Sequence, residues 1–218
     1  MTTMTMQQEQ ARIGMRSLPG DLIWPAEARG LVVFAHGSGS SRLSPRNQFV
    51  AQVLHGHHLA TLLFDLLTDA EAADRHNVFD IDLLSARVQE ALDWVDGHPA
   101  FAGLPLGLFG ASTGAAAALQ AAAVRPGSVA SVVSRGGRPD LAGPYLARVD
   151  APTLLIVGGR DDEVLALNRA ALSQLRCNKR LEIVPGATHL FEEPGALDAA
   201  AHLAGAWFSN HLAQRRAA

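Results

Sequence analysis

Short apolar runs alternate with longer amphipathic segments along most of this 218-residue chain. Runs that are apolar at nearly every position indicate strands buried on both faces, whereas apolar residues three or four positions apart indicate helices. The predicted strands cover residues 31–35, 59–64, 104–109, 129–133, 152–157 and 180–184. The predicted helices cover residues 48–55, 82–95, 115–123, 167–175 and 197–212.

Buried strands that alternate with helices predict an α/β fold: a doubly wound, mostly parallel sheet with helices on both faces. Residues 12–24 are expected to add an antiparallel edge strand. No repeat or linker divides the chain, so we expect a single domain over residues 12–218 after a disordered leader over residues 1–11. In such sheets ligands bind beyond the carboxyl ends of the strands. Functional residues should therefore follow the apolar runs directly.

The composition adds a few exclusions. With a net charge of -3, no basic face argues for nucleic acid, which is therefore not an expected partner. The single cysteine, Cys177, excludes an intramolecular disulfide and is typical of a reducing compartment. The first ten residues lack the apolar core of a signal peptide, and no apolar run reaches the roughly 18 residues that could cross a bilayer. The sequence thus indicates a soluble cytoplasmic protein without a membrane partner.

The segment Gly110-Ala111-Ser112-Thr113-Gly114 has the form G-x-S-x-G and lies between a predicted strand and a predicted helix. In that context the pattern predicts a nucleophile elbow, a tight turn that holds the serine hydroxyl above the sheet. Side chains at the flanking positions would collide with the neighbouring strand and helix, which favours glycine there. The alternative is an ordinary glycine-rich turn in which Ser112 is the helix N-cap.

An acid and a histidine, which could activate this serine, follow two further predicted strands. Asp161 follows the run 152–157, and His189 lies in the loop before the last helix. Serine, acid and histidine thus follow one another in the order of an α/β-hydrolase. His189 would remove the proton of the Ser112 hydroxyl, while Asp161 would fix the tautomer and stabilise the imidazolium. The alternative for His189 is a solvated loop residue.

The segment His36-Gly37-Ser38-Gly39 follows the first predicted parallel strand, where an oxyanion loop belongs. The backbone N–H groups of Ser38 and Thr113 would stabilise the oxyanion of a tetrahedral intermediate. A phosphate cradle is the alternative interpretation. It is disfavoured because the loop lacks the lysine of G-x-x-x-x-G-K-[ST], and because the chain lacks the G-x-G-x-x-G fingerprint of dinucleotide binding.

The motifs "HGSGSS", "GASTG", "GGRDDEV" and "PGATHLF" resemble those of the α/β-hydrolase family, and within it the small capless branch similar to dienelactone hydrolases. The resemblance runs from about Leu31 to His211. Dienelactone hydrolases have a cysteine nucleophile, whereas serine stands here, which favours a general esterase over lactone specificity. The roles implied by the resemblance are nucleophile for Ser112, acid for Asp161, base for His189 and oxyanion donor for Ser38 and Thr113.

We therefore expect a serine hydrolase that cleaves a small-molecule carboxylic ester or lactone through an acyl-enzyme, without a cofactor. An acyltransferase or perhydrolase would use the same residues, and a weakly catalytic ligand-binding sensor could retain them. The acid has two competitors. Asp162 lies one residue further along the turn, and Asp140 follows the strand 129–133, from which some relatives supply their acid.

The surroundings of the predicted site suggest an open pocket. About 18 residues separate strands 129–133 and 152–157, too few for a helical cap, and the polar segment 65–80 is a candidate rim. Arg42, Arg135 and Arg138 follow strand ends, and guanidinium groups suit carboxylates or phosphates. These arginines are candidates for binding an anionic substrate group. Structural ion pairs, for example with Asp140, are the alternative.

The segment "HGHH" places His55, His57 and His58 together at a helix-to-strand junction. In this topology the junction lies at the amino edge of the sheet, away from the predicted site. No carboxylate stands at a useful spacing, so we predict no metal site.

Overall fold

The computed structural model describes residues 5–215. Eight strands form one sheet in the order β1-β2-β4-β3-β5-β6-β7-β8, and all neighbours from β4 to β8 pair in parallel. The α/β fold is therefore confirmed. The strands are β1 Met6–Ile13, β2 Leu18–Pro25, β3 Leu31–Ala35, β4 Ala60–Phe64, β5 Leu106–Ala111, β6 Val129–Arg135, β7 Thr153–Gly158 and β8 Lys179–Val184.

Helices cover both faces of the sheet. α1 and α6 pack on one face around Phe34, Phe109 and Phe208, while α3, α4 and α5 pack on the other. Within residues 5–215, no helix combines the length and apolarity needed to span a bilayer. The α-helices are α1 Pro45–Gly56, α2 Asp69–Ala72, α3 Ile81–Asp96, α4 Thr113–Val124, α5 Asp162–Gln174 and α6 Ala196–Arg215; 3₁₀ segments cover Asn77–Phe79, Pro99–Phe101 and Pro139–Arg148.

The N-terminal region corrects one expectation. The predicted disordered leader over residues 1–11 is wrong for residues 6–11, which belong to β1. β1 and β2 form an antiparallel hairpin, and β2 pairs antiparallel with β4, so two strands rather than one make the edge. The first five residues of β1 are exposed, and only Ala11 and Ile13 are buried, so the sequence shows no strand periodicity there. Residues 1–4 lie outside the described part of the chain.

Helix α4 lies very close to the sheet. Residues 113–123 are all buried. Eight of these eleven residues are alanine or glycine; the other three are Thr113, Leu119 and Gln120. Small side chains reduce the distance between a helix and the strands beneath it because little volume separates their backbones. The close packing brings the first turn of α4 up against the carboxyl ends of β3 and β5, where the candidate residues lie.

Candidate active site

Ser112 occupies the turn between β5 and α4 with φ 50° and ψ -124°. Residues other than glycine rarely adopt this left-handed conformation. A Cβ on Gly110 would overlap the backbone of Ala115, and a Cβ on Gly114 would overlap the carbonyl oxygen of Ala35. Ser112 stands at the N-cap position, but its side chain makes no capping hydrogen bond. The hydroxyl is therefore not used to cap the helix, which was the alternative interpretation.

The carboxylate of Asp161 lies next to the ring of His189. Oδ2 of Asp161 is 2.7 Å from Nδ1 of His189, and the aspartate side chain is 14% exposed against 39% for the histidine. Asp161 is the N-cap residue of α5, yet its side chain does not cap the helix and turns to the histidine instead. An aspartate in this position favours the imidazole tautomer with its proton on Nδ1, in which Nε2 carries the lone pair.

Gly158 leaves room for the loop of His189 to approach the strand end that precedes Asp161. The end of β7 passes so close to the loop before His189 that a Cβ on Gly158 would overlap the carbonyl oxygen of Ala187. The backbone N–H of Arg160 donates to the same carbonyl, at 2.9 Å. The sequence reasoning missed this glycine, although a glycine pair directly after an apolar strand is a signal of close backbone approach.

Ser112 and His189 face one cleft of about 240 Å³. Among the described residues, the Ser112 hydroxyl makes no hydrogen bond, with His189 or with any other group. Catalytic hydrogen bonds of this kind often form only when substrate is bound. Arg135, Arg46 and Asn47 also line the cleft, and the last two were not candidates from the sequence.

The two competing carboxylates are placed differently from Asp161. Asp140 accepts two hydrogen bonds from the guanidinium of Arg138, at 2.9 and 2.8 Å. Asp162 begins helix α5 and is exposed. Of the three acidic residues considered, the structure brings only Asp161 into contact with His189.

The predicted oxyanion donors Ser38 and Thr113 lie beside each other. The backbone N–H of Ser38 donates to the hydroxyl of Thr113 at 3.0 Å. Thr113 is the first residue of α4, so its own N–H has no acceptor within the helix. The Ser38 N–H, one of the two expected oxyanion donors, is thus already bonded to the side chain of Thr113. The sequence did not predict this contact.

His36 links the oxyanion loop, residues 36–39, to the segment that follows β4. Its Nε2 accepts the backbone N–H of Leu66 at 3.0 Å, and its Nδ1 lies 3.0 Å from the carbonyl oxygen of Gly37. Burial lowers the pKa of His36, although the Gly37 carbonyl and the Asp65 carboxylate oppose the effect. A neutral ring with its proton on Nδ1 satisfies both contacts. Since Gly37 and Ser38 share a peptide unit, the ring orients the Ser38 N–H.

The three candidate arginines have different surroundings. Arg42 pairs with Asp65 at 2.6 Å, and Arg138 pairs with Asp140. These two arginines are therefore engaged in ion pairs within the chain, which was the alternative left open. Only Arg135 lines the cleft that contains Ser112.

Arg135 is a buried cation without a carboxylate partner among the described residues. Arg135 is 8% exposed, and its Nε and Nη1 atoms have no hydrogen-bond partner in the described part of the chain. Nη2 donates to Oδ1 of Asn47 at 3.4 Å, and the guanidinium lies about 6 Å from the rings of Phe109 and Phe191. Burial, with a smaller contribution from Arg46, lowers the pKa of Arg135 to about 10. The side chain is still charged at neutral pH.

The histidines of the "HGHH" segment contact other elements. His55 lies 2.8 Å from the hydroxyl of Thr61, and His57 lies 3.2 Å from that of Ser209. Within residues 5–215, no three His, Cys, Asp or Glu side chains are grouped in a way that could hold a metal ion.

Comparison with known proteins places these features in a family. No family model matches the chain. Two proteins from Mycobacterium tuberculosis strains, which carry the provisional name phosphoribosyl transferase, are 56% identical over 206 residues, or 94% of this chain and 46% of theirs. The chain therefore spans about half the length of the curated relatives it matches.

Two solved structures have related folds over their full length. The esterase domain of a Rhodothermus marinus protein is 17% identical, with a TM-score of 0.75 over 96% of this chain and 100% of that chain. The dienelactone hydrolase of Anabaena variabilis is 54% identical, with a TM-score of 0.92 over 97% of this chain and 100% of that chain. Identity at this level over a complete relative shows that the chain belongs to the dienelactone hydrolase family of α/β-hydrolases.

Proposed function

We propose that this protein is a serine hydrolase that cleaves carboxylic esters or lactones through an acyl-enzyme on Ser112. The observation that carries the proposal is the Asp161–His189 pair, joined at 2.7 Å and facing the same cleft as a serine in a strained strand-to-helix turn. Triad chemistry requires a histidine base oriented by an acid within reach of a serine hydroxyl.

In the first half of the reaction, Nε2 of His189 takes the proton of the Ser112 hydroxyl as its oxygen attacks the carbonyl carbon of the ester. The negative charge that forms on the carbonyl oxygen is stabilised by the N–H groups of Ser38 and Thr113. The tetrahedral intermediate collapses when the bond to the leaving oxygen breaks and His189 gives its proton to that oxygen. The alcohol leaves, and the acyl group remains on Ser112.

In the second half, His189 takes a proton from water, whose oxygen attacks the acyl carbon. Collapse of the second intermediate returns the proton to Ser112 and releases the carboxylic acid. Access of water supports hydrolysis over transfer to another acceptor. The chain between β6 and β7 contains only the 3₁₀ segment Pro139–Arg148, and the His189 side chain is 39% exposed.

The name of the curated relatives does not change this proposal. Those proteins are about twice as long as the match, so a phosphoribosyl transferase activity of the whole protein has no necessary connection with the part that this chain resembles. The features of the Ser112 cleft suit acyl chemistry, and the full-length relative with 54% identity is named as a hydrolase.

Labelling with a fluorophosphonate probe tests the proposal directly. We expect stoichiometric labelling of the wild type and complete loss of labelling in Ser112→Ala. Ser173→Ala is the matched control because Ser173 is an exposed serine near the end of α5. Equal labelling of wild type and Ser112→Ala, or no labelling of the wild type, would contradict the proposal.

A further inference from the structure

Two cavities meet at the oxyanion loop. The first, which we call the His189 cleft, has about 240 Å³ and is lined by Ser112, His189, Arg46 and Arg135. The second, which we call the Leu66 pocket, has about 200 Å³ and is lined by Leu66, Leu67, Val78 and Leu84 with Thr113. Gly37, Ser38 and Ser40 line both cavities. An ester bound with its carbonyl oxygen near Ser38 and Thr113 therefore has a cavity on either side.

The charges in the two cavities are opposite. Arg46 and Arg135 line the His189 cleft, and no aspartate or glutamate of the described part of the chain lines it. Asp65 and Asp69 line the Leu66 pocket, and none of the described lysines or arginines lines it. Arg42, which pairs with Asp65, also lies 3.4 Å from Asp21, so one cation is shared by two carboxylates there. Leu66, Leu67, Val78 and Leu84 give the Leu66 pocket one aliphatic side. A negatively charged group is thus favoured in the cleft and disfavoured in the pocket.

Arg135 strengthens this difference because its charge lacks a counterion. Its only hydrogen-bond partner among the described residues is the neutral amide of Asn47, at 3.4 Å, and two of its nitrogen atoms have none. Arg46 adds a second cation, and its one ion pair within residues 5–215 is with the exposed Glu192, at 3.5 Å. A buried charge without a partner is unfavourable, so an anion that enters the cleft gains an interaction that the free protein does not provide.

The reaction geometry decides which half of the ester occupies which cavity. His189 must protonate the leaving oxygen, so the alcohol half lies on the His189 side, in the cleft. The acyl half points away from the histidine, towards the Leu66 pocket. An engineered cavity of about 150 Å³ accommodates benzene, so a pocket of about 200 Å³ accepts an acyl group of roughly six carbons.

We propose that the substrates are esters of a short, uncharged acyl group, held in the Leu66 pocket, with an alcohol that carries a carboxylate or phosphate, held in the His189 cleft by Arg135. This inference rests on the proposed serine hydrolase function and specifies the substrate class of the same site. The assignment has a direction: an anion on the alcohol half favours cleavage, and the same anion on the acyl half opposes it.

Matched esters test the alcohol half. The probes are butyryl esters of 4-hydroxybenzoate, of 4-hydroxyphenyl phosphate and of the neutral 4-hydroxybenzamide. We expect Arg135→Gln to lower kcat/KM for the anionic esters by about 10- to 100-fold, chiefly through KM, and to change the neutral ester by less than about threefold. Comparison of the carboxylate ester with the phosphate ester shows which of the two anions the His189 cleft prefers. Arg176→Gln, which removes an exposed arginine, is the charge control.

A second pair of esters tests the acyl half. We expect 4-nitrophenyl butyrate to be cleaved at least about tenfold faster than 4-nitrophenyl hemisuccinate, because only the latter brings a carboxylate towards Asp65 and Asp69. Val78→Trp fills the Leu66 pocket, so it should raise KM for hexanoyl esters while acetyl esters are affected little. Faster cleavage of the hemisuccinate would overturn the assignment.

Fluorophosphonate labelling separates the two proposals. Equal losses on anionic and neutral esters in Arg135→Gln, with Ser112 still labelled, would overturn the substrate class and leave the serine hydrolase intact. Absence of labelling in the wild type would overturn both. Thermal unfolding of Arg135→Gln and Val78→Trp shows whether each variant is folded, and Arg135→Lys, which keeps the charge, should recover part of the preference for anionic esters.

Discussion

The backbone N–H of Ser38 donates a hydrogen bond of 3.0 Å to the hydroxyl of Thr113. The residue after the proposed nucleophile therefore supplies an internal acceptor for the N–H that is expected to bind the oxyanion. An ester carbonyl that enters the site must share or replace this acceptor. A net hydrogen bond is worth about 1 kcal/mol in a folded protein, so the exchange reduces the benefit of oxyanion binding by a similar amount.

Replacement of Thr113 by valine should consequently increase activity. Thr113→Val removes the competing oxygen and keeps the shape of the side chain, so the Ser38 N–H is free for the oxyanion. We expect kcat to rise by up to about fivefold, in keeping with the energy of one hydrogen bond. Steady-state kinetics with a 4-nitrophenyl ester measures the change, and Thr113→Ser should resemble the wild type. A fall of kcat in folded Thr113→Val would mean that the hydroxyl assists the reaction.

The acid assignment leads to a second prediction. Asp161→Asn should lower kcat by about 10⁴-fold, because an amide at this place no longer holds the proton of His189 on Nδ1. Asp140→Asn provides the matched change at the competing position, where the carboxylate accepts hydrogen bonds from Arg138. We expect it to change kcat by less than about threefold, since neither residue contacts His189. Near-normal turnover of Asp161→Asn would transfer the role to another acid.

The elbow should be intolerant of side chains. Gly114→Ala places a methyl group against the carbonyl oxygen of Ala35, and this main-chain atom cannot move without displacing β3. We expect the free energy of unfolding to fall by at least about 2–3 kcal/mol in a urea titration. Gly56→Ala, at the end of α1 with open space around its Cα, should leave the stability unchanged or raise it by about 0.5–1 kcal/mol. Similar stabilities of the two variants would contradict the steric argument.

His55 should make the protein sensitive to acid. Burial lowers its pKa from 6.5 to about 4, so the folded state binds this proton less readily than the unfolded state does. The stability contributed by the neutral ring is complete above the unfolded pKa of 6.5 and is lost as the pH falls towards 4. Between about pH 7.5 and pH 4.5, the wild type should lose roughly 2–3 kcal/mol more than His55→Gln. Parallel pH profiles of the two proteins would argue against this role.

The sequence allowed most of the sheet to be predicted because its inner strands are apolar at nearly every position. The element β1 was missed for the opposite reason: its exposed residues at the sheet edge show no apolar pattern, and pairing with β2 determines its conformation. Edge strands are specified by their neighbours more than by their own residues, so a local pattern does not reveal them.

Side-chain partners were the second limit. The sequence placed Asp161 and Asp140 at neighbouring strand ends and could not rank them by contact. The ranking depends on Arg138, which lies two residues before Asp140 and pairs with it, and on Gly158, which allows the loop of His189 to approach Asp161. Likewise, whether a candidate arginine forms an ion pair depends on which carboxylate the fold brings near it. For Arg135 the fold brings none within residues 5–215.

The tight turn at residue 112 restrains the main chain and leaves the hydroxyl of the proposed nucleophile unrestrained. The overlaps that exclude a side chain at Gly110 or Gly114 involve backbone atoms. Ser112 lines the His189 cleft, and its Oγ has no hydrogen bond within residues 5–215. Because these overlaps do not involve the Oγ, exchange of the hydroxyl for a thiol in Ser112→Cys should leave the backbone contacts that fix the turn unchanged.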